Sequence, residues 1–341
     1  MPDIDEAGIV GKPNDISDVI TNVQAHKYPL VSMIPKDTAE QIRGEYQVEE
    51  YVDEGYKGDA EGAGATRTGS SSKRAMLYDR QQKFTREYGL TMEAQAVKKA
   101  GVADEFSRQR NQAYPLLKRK MESKFCSNTE SVVGAGLDGH ETRGLFVWQQ
   151  VAAQDADKDP VPDAYRPVAA QVIGSASGAA MATVVTEAAI KAFLQTTFGF
   201  TDVEQNYLML CGIMLKGVLD DLQVWTPTKA SNTLRQVYQF SKAAEDRRVV
   251  NCVDVMEYSG GVITLHPTNY LMRERDDGAK TDFSDRSGLM IVQEMLEVRY
   301  LINPYEIEFP PDGAGRHGWH QCMASLRHLN PKTGGAILCN S

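Results

Sequence analysis

The chain has 341 residues, of which 42% are hydrophobic and 24% charged, so it is long enough for two domains with real cores. Its net charge of −9 argues against gripping DNA directly, because an acidic surface repels phosphate. Five cysteines (Cys126, Cys211, Cys252, Cys322 and Cys339) are scattered without C-x-x-C pairing, which fits buried free thiols in a reducing compartment rather than a disulfide framework or a zinc site.

The acidic opening Met-Pro-Asp-Ile-Asp-Glu lacks the basic and then apolar order of a secretory signal, and no window reaches the ~18 to 20 apolar residues of a membrane span. The expectation is a protein assembled in cytoplasm, with no membrane partner. Residues 1–13 read as unstructured. Asn14 or Asp15 is placed to cap a short helix through Val23, and Pro29 and Pro35 are expected to stop any continuation, leaving Leu30, Val31, Met33 and Ile34 as an apolar plug.

From Gly44 the pattern becomes that of a long two-stranded arm. Tyr46, Val48 and Val52 alternate with polar residues on the way out, and Phe84, Tyr88, Leu90 and Met92 share one parity on the way back. Between them, Glu54 to Arg74 holds five glycines, three consecutive serines and no large aliphatic residue. Such a tip cannot bury itself, so the arm is expected to gain its stability on a surface outside the subunit.

A helix follows. Val102, Phe106, Ala113, Leu117, Met121 and Phe125 mark one apolar stripe; Asp104 and Glu105 open it, and Lys118, Arg119, Lys120 and Lys124 gather towards its end, as the helix dipole prefers. It would span roughly 35 Å. Pro115 predicts a bend near residues 111–115. Asn128 to Arg143 reads as a glycine-rich loop, Gly144 to Val151 as an aromatic segment, and Ala152 to Ser177 as a surface excursion between two lobes. Thr186 is a candidate N-cap for a helix through Phe198. Tyr207–Cys211 reads as a strand and Ile213–Leu222 as a helix, with strands at Val237–Tyr238, Val249–Met256, Val262–Leu265, Leu289–Val292, Tyr305–Phe309, Gly318–Leu329 and Ala336–Cys339. Ser259, Gly260 and Gly261 supply a hairpin turn, and Arg273 to Ser287 a charged loop. The order of helices and strands predicts an α+β fold with crossed connectivity.

No stretch carries enzyme chemistry. Gly64 and Gly69 stand at phosphate-loop spacing, but Ser70 occupies the position that needs Lys. His317, His320 and Cys322 are the densest set of metal-ligand types, yet they lack a fourth ligand and read as incidental to a strand. Asp276, Asp277, Asp282 and Asp285 do not follow the calcium-loop pattern. Gly174-Ser175-Ala176-Ser177-Gly178 has Ala where a nucleophile elbow needs Ser. The expectation is therefore no catalytic, cofactor-binding or metal-binding residue, and no cofactor.

Several short stretches together resemble one family. Pro13-Asn14-Asp15-Ile16-Ser17-Asp18-Val19-Ile20-Thr21-Asn22-Val23 and Tyr28-Pro29-Leu30-Val31-Ser32-Met33-Ile34 look like the opening of tailed-phage major capsid (major head) proteins with the Hong Kong 97-type fold. Ala94 to Glu105 is similar to that family's entry into its spine helix, and Arg143-Gly144-Leu145 and Leu329-Asn330-Pro331 also match. The sequence departs from the pattern at Pro115 and in the segment from Gln154 to Ala170.

The resemblance implies an N-terminal arm at 1–40, an extended loop at 41–92, a peripheral domain with the spine helix at 93–154, an axial domain at 155–290, and strands returning to the peripheral domain at 291–341. It implies a non-enzymatic shell protein whose main partner is itself, in hexamers and pentamers of an icosahedral phage head around double-stranded DNA bound without sequence specificity. Portal, scaffold, maturation protease and decoration proteins are the further partners implied. Some phages of this fold cross-link their subunits through a lysine; Lys57 and Lys73 lie in the loop, but no motif assigns either to that chemistry. An encapsulin-like cellular shell of the same fold, enclosing a cargo enzyme, is the alternative. From other classes, a soluble hydrolase would be a small oligomer with a concave pocket, and a tail or baseplate protein would form rings or fibres.

Overall fold

A computed structural model describes residues 28–50, 73–97, 104–135, 139–152, 154, 156–175, 181–201, 204–222, 239–240, 249–250, 254–258, 260–271, 285–310 and 315–339. The helices are α1 (Pro29–Met33), α2 (Met92–Ala96), α3 (Glu105–Phe125), α4 (Leu145–Trp148), α5 (Met181–Val184), α6 (Glu187–Thr201) and α7 (Ile213–Asp221). The strands in the first half are β1 (Lys36–Thr38), β2 (Arg43–Glu50), β3 (Lys73–Arg80), β4 (Gln82–Thr91), β5 (Val172–Ser175), β6 (Gln205–Cys211) and β7 (Gln239–Phe240). The remainder are β8 (Val249–Val250), β9 (Val255–Tyr258), β10 (Gly261–Pro267), β11 (Gly288–Val292), β12 (Leu296–Glu308), β13 (Gly315–His328) and β14 (Gly335–Cys339). The expected α+β character is present.

Two compact units share these elements. The smaller comprises residues 1–27, 85–119 and 304–321, and the larger residues 28–84, 120–303 and 322–341.

The core of the larger unit is a six-stranded mixed sheet in the order β5-β14-β11-β6-β10-β9. Strand β6 lies inside it, parallel to β10 and antiparallel to β11, and is buried from Tyr207 to Cys211. That central position explains its unbroken apolar run. Tyr207, Met209 and Cys211 share one parity and pack with Ile190, Phe193 and Leu194 of α6 and Leu215 and Leu219 of α7. Helix α6 begins where expected: the Thr186 hydroxyl accepts the Ala189 N–H at 3.2 Å. The β9–β10 hairpin pairs Tyr258 with Gly261, and Gly261 is the first residue of the returning strand, at φ +146°; Ser259 lies outside the described residues.

In the smaller unit Tyr88, Leu90, Phe106 and Ala113 form a compact cluster, with the Tyr88 and Phe106 rings edge to face at 5.5 Å. The stripe read along α3 is buried at Phe106, Ala113, Leu117, Met121 and Phe125, none more than 2% exposed. Val102 lies outside the described residues. The helix remains continuous across Pro115, so the proline removes one ladder bond without ending the element.

Two local expectations are corrected. Strand β2 is partnered by β3, from Arg43↔Arg80 to Glu50↔Lys73, whereas Phe84 to Leu90 lies on β4, in a separate four-stranded sheet ordered β1-β12-β13-β4. Lys73 and Arg74, assigned to the arm's tip, begin β3, and Met92 opens α2. The shared parity of residues 84–90 reflects a buried face in that second sheet rather than the return of the arm. Pro29 starts α1, where a first-turn position needs no N–H; the helix it was expected to stop lies outside the described residues. The supposed surface excursion is packed: Val161 and Tyr165 are buried, and the Gln154 side chain donates to Val147 O and accepts from Val161 N–H. The segment forms three short 3-10 turns, Ala156–Lys158, Asp163–Tyr165 and Ala169–Gln171, rather than a free loop. The capped helix near Val23 and the tip from Tyr51 to Ser72 lie outside the described residues.

Candidate interaction surfaces

The residue types first considered for catalysis or metal binding are occupied with structural work. His317 packs against Gly89, where an added Cβ would stand 2.4 Å from Nδ1. The His320 ring lies 5.5 Å from that of Tyr88 and 5.9 Å from that of Tyr114, with Nε2 3.3 Å from Arg110 O. Cys322 is fully buried against Met121, at 3.6 Å between sulfurs, and burial pushes its thiol up to about 12. A thiol held that high is neither a nucleophile nor a ready ligand at neutral pH. Among the described residues, no group of three His, Cys, Asp or Glu side chains is placed to hold a metal ion. Asp285 contributes its backbone carbonyl to the first turn of α7, through Met214 and Leu215 N–H. Gly174 and Ser175 belong to β5, with Gly174 at φ +92° and its Cβ direction blocked by Leu338 O. Ala176 to Gly178, Asp276, Asp277, Asp282, Gly64, Gly69, Lys57 and Cys252 lie outside the described residues.

The contacts that organise the two arms were not apparent in the sequence. The first is Glu122, one residue off the apolar stripe of α3 and fully buried. Its two oxygens accept the Leu30 and Val31 backbone N–H groups, each at 2.8 Å, from a position more than ninety residues away in sequence. Tyr28, the N-cap of α1, offers no side-chain cap, so Glu122 supplies it. Burial pushes the Glu122 carboxyl up to about 7, against the lowering effect of the two N–H bonds. The apolar plug of Leu30, Val31 and Ile34 is thereby tied to the helix.

The second is Asp159. Its carboxylate accepts from Arg43 Nη2 and Arg80 Nη2, both at 2.7 Å, and its backbone carbonyl accepts from Arg143 Nη2 at 2.7 Å. Asp159 is the non-glycine residue at positive φ among those described, at 55°. Arg143 is itself buried, bonded through Nε to Glu130 at 2.6 Å and stacked 4.8 Å over the Trp148 ring. Gly144 beside it must be glycine, because a Cβ would lie 2.1 Å from Ser127 O. The match of Arg143-Gly144-Leu145 to the capsid pattern thus has a packing reason.

Along β2 the attachment continues. Tyr46 donates to His328 O at 2.6 Å, and Glu50 meets Lys332 Nζ at 3.2 Å. Leu77 of β3 is 1% exposed. The described part of the arm therefore rests on its own subunit, and the expectation that it waits for another copy applies only beyond Glu50 and Lys73.

In the smaller unit, Glu306 receives Tyr88 Oη and, at 2.7 Å, Arg110 Nη2. Burial opposes its ionisation, yet the bonds from Arg110 and Tyr88 outweigh this and hold the carboxyl below its usual range. A cavity of about 360 Å³ lies nearby, lined by Glu87, Tyr88, Gly89, Phe309, His317, Gly318 and Trp319. Large apolar side chains remain exposed in both units: Met92, Val97, Tyr305 and Phe309 in the smaller, and Phe198, Phe200, Ile213, Met214 and Val255 in the larger.

Residues 4–339 match the family described as SU10 major capsid protein. Among solved structures the chain is similar to the capsid of cyanophage Pam1, at 10% identity over 99% of each chain with a TM-score of 0.59. It is also similar to a structure from Gordonia phage Cozz (14% identity, 98% of this chain and 93% of that, TM-score 0.58). The capsid of cyanophage P-SCSP1u gives 12% identity over 97% of this chain and 91% of that one, with a TM-score of 0.57. At such identities the likeness is one of fold, the Hong Kong 97-type fold expected from the sequence. No curated protein matches the chain significantly.

Proposed function

The chain belongs to the SU10 major capsid protein family, a structural component of a virion, and from that premise we propose that its copies assemble as hexamers and pentamers into the icosahedral head of a tailed phage enclosing double-stranded DNA. The observation that carries this reading is the family match over nearly the whole chain, joined to the likeness of fold to phage capsid chains along nearly their full length. The family match favours a viral head over an encapsulin-like compartment. In the proposed correspondence, residues 1–40 are the N-terminal arm, the β2–β3 hairpin carries the extended loop, α3 is the spine helix, and the six-stranded sheet with α6 and α7 lies in the axial domain.

The physical chemistry supports a shell role. A net charge of −9 suits a lining that must not trap an incoming genome. Exposed apolar side chains bury against neighbours, and a few hundred Å² at ~25 cal/mol per Å² becomes substantial when repeated at every subunit contact. Among the described residues no helix is long and apolar enough to cross a membrane. We propose no enzymatic activity, and portal, scaffold, maturation protease or decoration proteins as further partners. Co-expression with the neighbouring genes, followed by sedimentation and electron microscopy, tests the assignment: closed shells are expected, and subunits that remain dispersed overturn it.

A further inference from the structure

We infer that Asp159 is the positioning residue that sets the direction of the β2–β3 arm within the subunit, before any neighbour is engaged. The site lies at the mouth of the hairpin. Arg43 and Arg80 are cross-strand partners, so two like charges face each other directly, an arrangement that opens a ribbon unless something neutralises it. One carboxylate does so, with one oxygen on each guanidinium at 2.7 Å. Glu45 also pairs with Arg43, at 2.9 Å, but its side chain is 46% exposed and belongs to the arm itself, so it cannot fix the arm to the core. Asp159 belongs to the core: its backbone carbonyl is held by the buried Arg143, and Pro160 follows it directly.

The left-handed backbone of Asp159 adds a second constraint. Aspartate, asparagine and glycine adopt φ near 55° far more readily than other residues, and of these only aspartate brings the charge the two arginines need. From Arg43 to Glu50 the strand runs about 23 Å. Tyr46 and Glu50 fasten its middle and far end through His328 and Lys332. The arm thus leaves the core with its heading already determined, and a shell contact made by residues beyond Glu50 inherits that heading. The last step rests on the proposed assembly role; the clamp itself does not.

Spin labels at Gln47→Cys and Gln195→Cys, both exposed and both in the larger unit, report the arm's heading in unassembled subunits by pulsed electron resonance. The wild-type background is expected to give one narrow distance. Asp159→Asn keeps the backbone preference but removes the charge; it should broaden the distribution and raise hydrogen exchange at Leu77 to Arg80 about tenfold. Arg43→Gln, at a half-exposed side chain, should fold regardless and broaden it less. Glu187→Gln, which neutralises a carboxylate paired with Lys191 on α6, should change nothing. An unchanged narrow distance in both Asp159→Asn and Arg43→Gln overturns the inference. In the assembly assay, wild-type shells with far fewer or misshapen Asp159→Asn shells support the arm's role. Equal, regular shells from both would sever the clamp from assembly, and a wild type that never assembles would refute the proposed function while leaving the spin-label result standing.

Discussion

Replacing Glu122 by Gln should loosen the N-terminal attachment locally and abolish a pH dependence. In the wild type both carboxyl oxygens accept backbone N–H groups at 2.8 Å inside a fully buried site. Glutamine offers one carbonyl oxygen and turns an NH₂ towards the second N–H, so one buried donor loses its acceptor, which costs about 1 to 3 kcal/mol. That corresponds to roughly a fivefold to hundredfold loss of amide protection at Leu30 and Val31. The pH effect follows from the carboxyl's position near 7 when folded against an ordinary value of 4.5. The folded state binds a proton that the unfolded state has released between these values, so stability falls as pH rises through that window. The contribution is fully present below about pH 4.5 and gone above about pH 7; at about 1.4 kcal/mol per pH unit it amounts to about 3 kcal/mol. Hydrogen exchange of the peptide spanning residues 28–34, corrected for intrinsic rates and followed from pH 5 to 8, reads this directly. Wild-type protection should decline across the range and the Glu122→Gln profile should stay flat. Equal protection in both proteins at every pH would refute the latch.

Other expectations concern packing and the arm. Leu117→Ala and Phe125→Ala empty fully buried positions of α3 and should each destabilise by about 3 to 5 kcal/mol in urea unfolding; a loss under about 1 kcal/mol would contradict the packing described. Gly144→Ala should destabilise by about 1 to 3 kcal/mol, because the new methyl meets Ser127 O at 2.1 Å, and an unchanged melting temperature would show that the turn can shift. Deleting Gly55 to Ser71 removes only tip residues beyond the last β2–β3 pair and should leave circular dichroism and melting nearly unchanged while shell assembly fails; unfolding of the isolated variant would count against the tip acting on neighbours.

How much was legible in the sequence depended on whether a feature is local. The stripe of α3 could be read because every member recurs on the helical period, and the run from Tyr207 to Cys211 because a central strand is apolar on both faces. The resemblance to capsid proteins likewise rested on contiguous stretches. Strand pairing was not legible in the same way. Residues 73–80 lack a clean alternation because Asp79 and Arg80 are buried through ion pairs rather than apolar contact, and residues 84–90 look like the partner because their parity is cleaner. Charge constellations were the least visible. Glu122 sits among Lys and Ser in a helix end that reads as solvated, and its two donors lie more than ninety residues upstream. Asp159 is one aspartate in a segment rich in Asp, Ala and Pro, and nothing in that composition marks the one residue that two distant arginines share. Only folding brings such groups together, and an interaction that depends on three separated segments leaves no period to count.

The central claim is that copies of this chain close into a shell. Negative-stain electron microscopy of the protein co-expressed with its neighbouring genes, paired with size-exclusion chromatography, tests it most directly. The account predicts closed particles of regular diameter, or pentamers and hexamers on the way to them. A monodisperse monomer or dimer that never assembles under those conditions would contradict it.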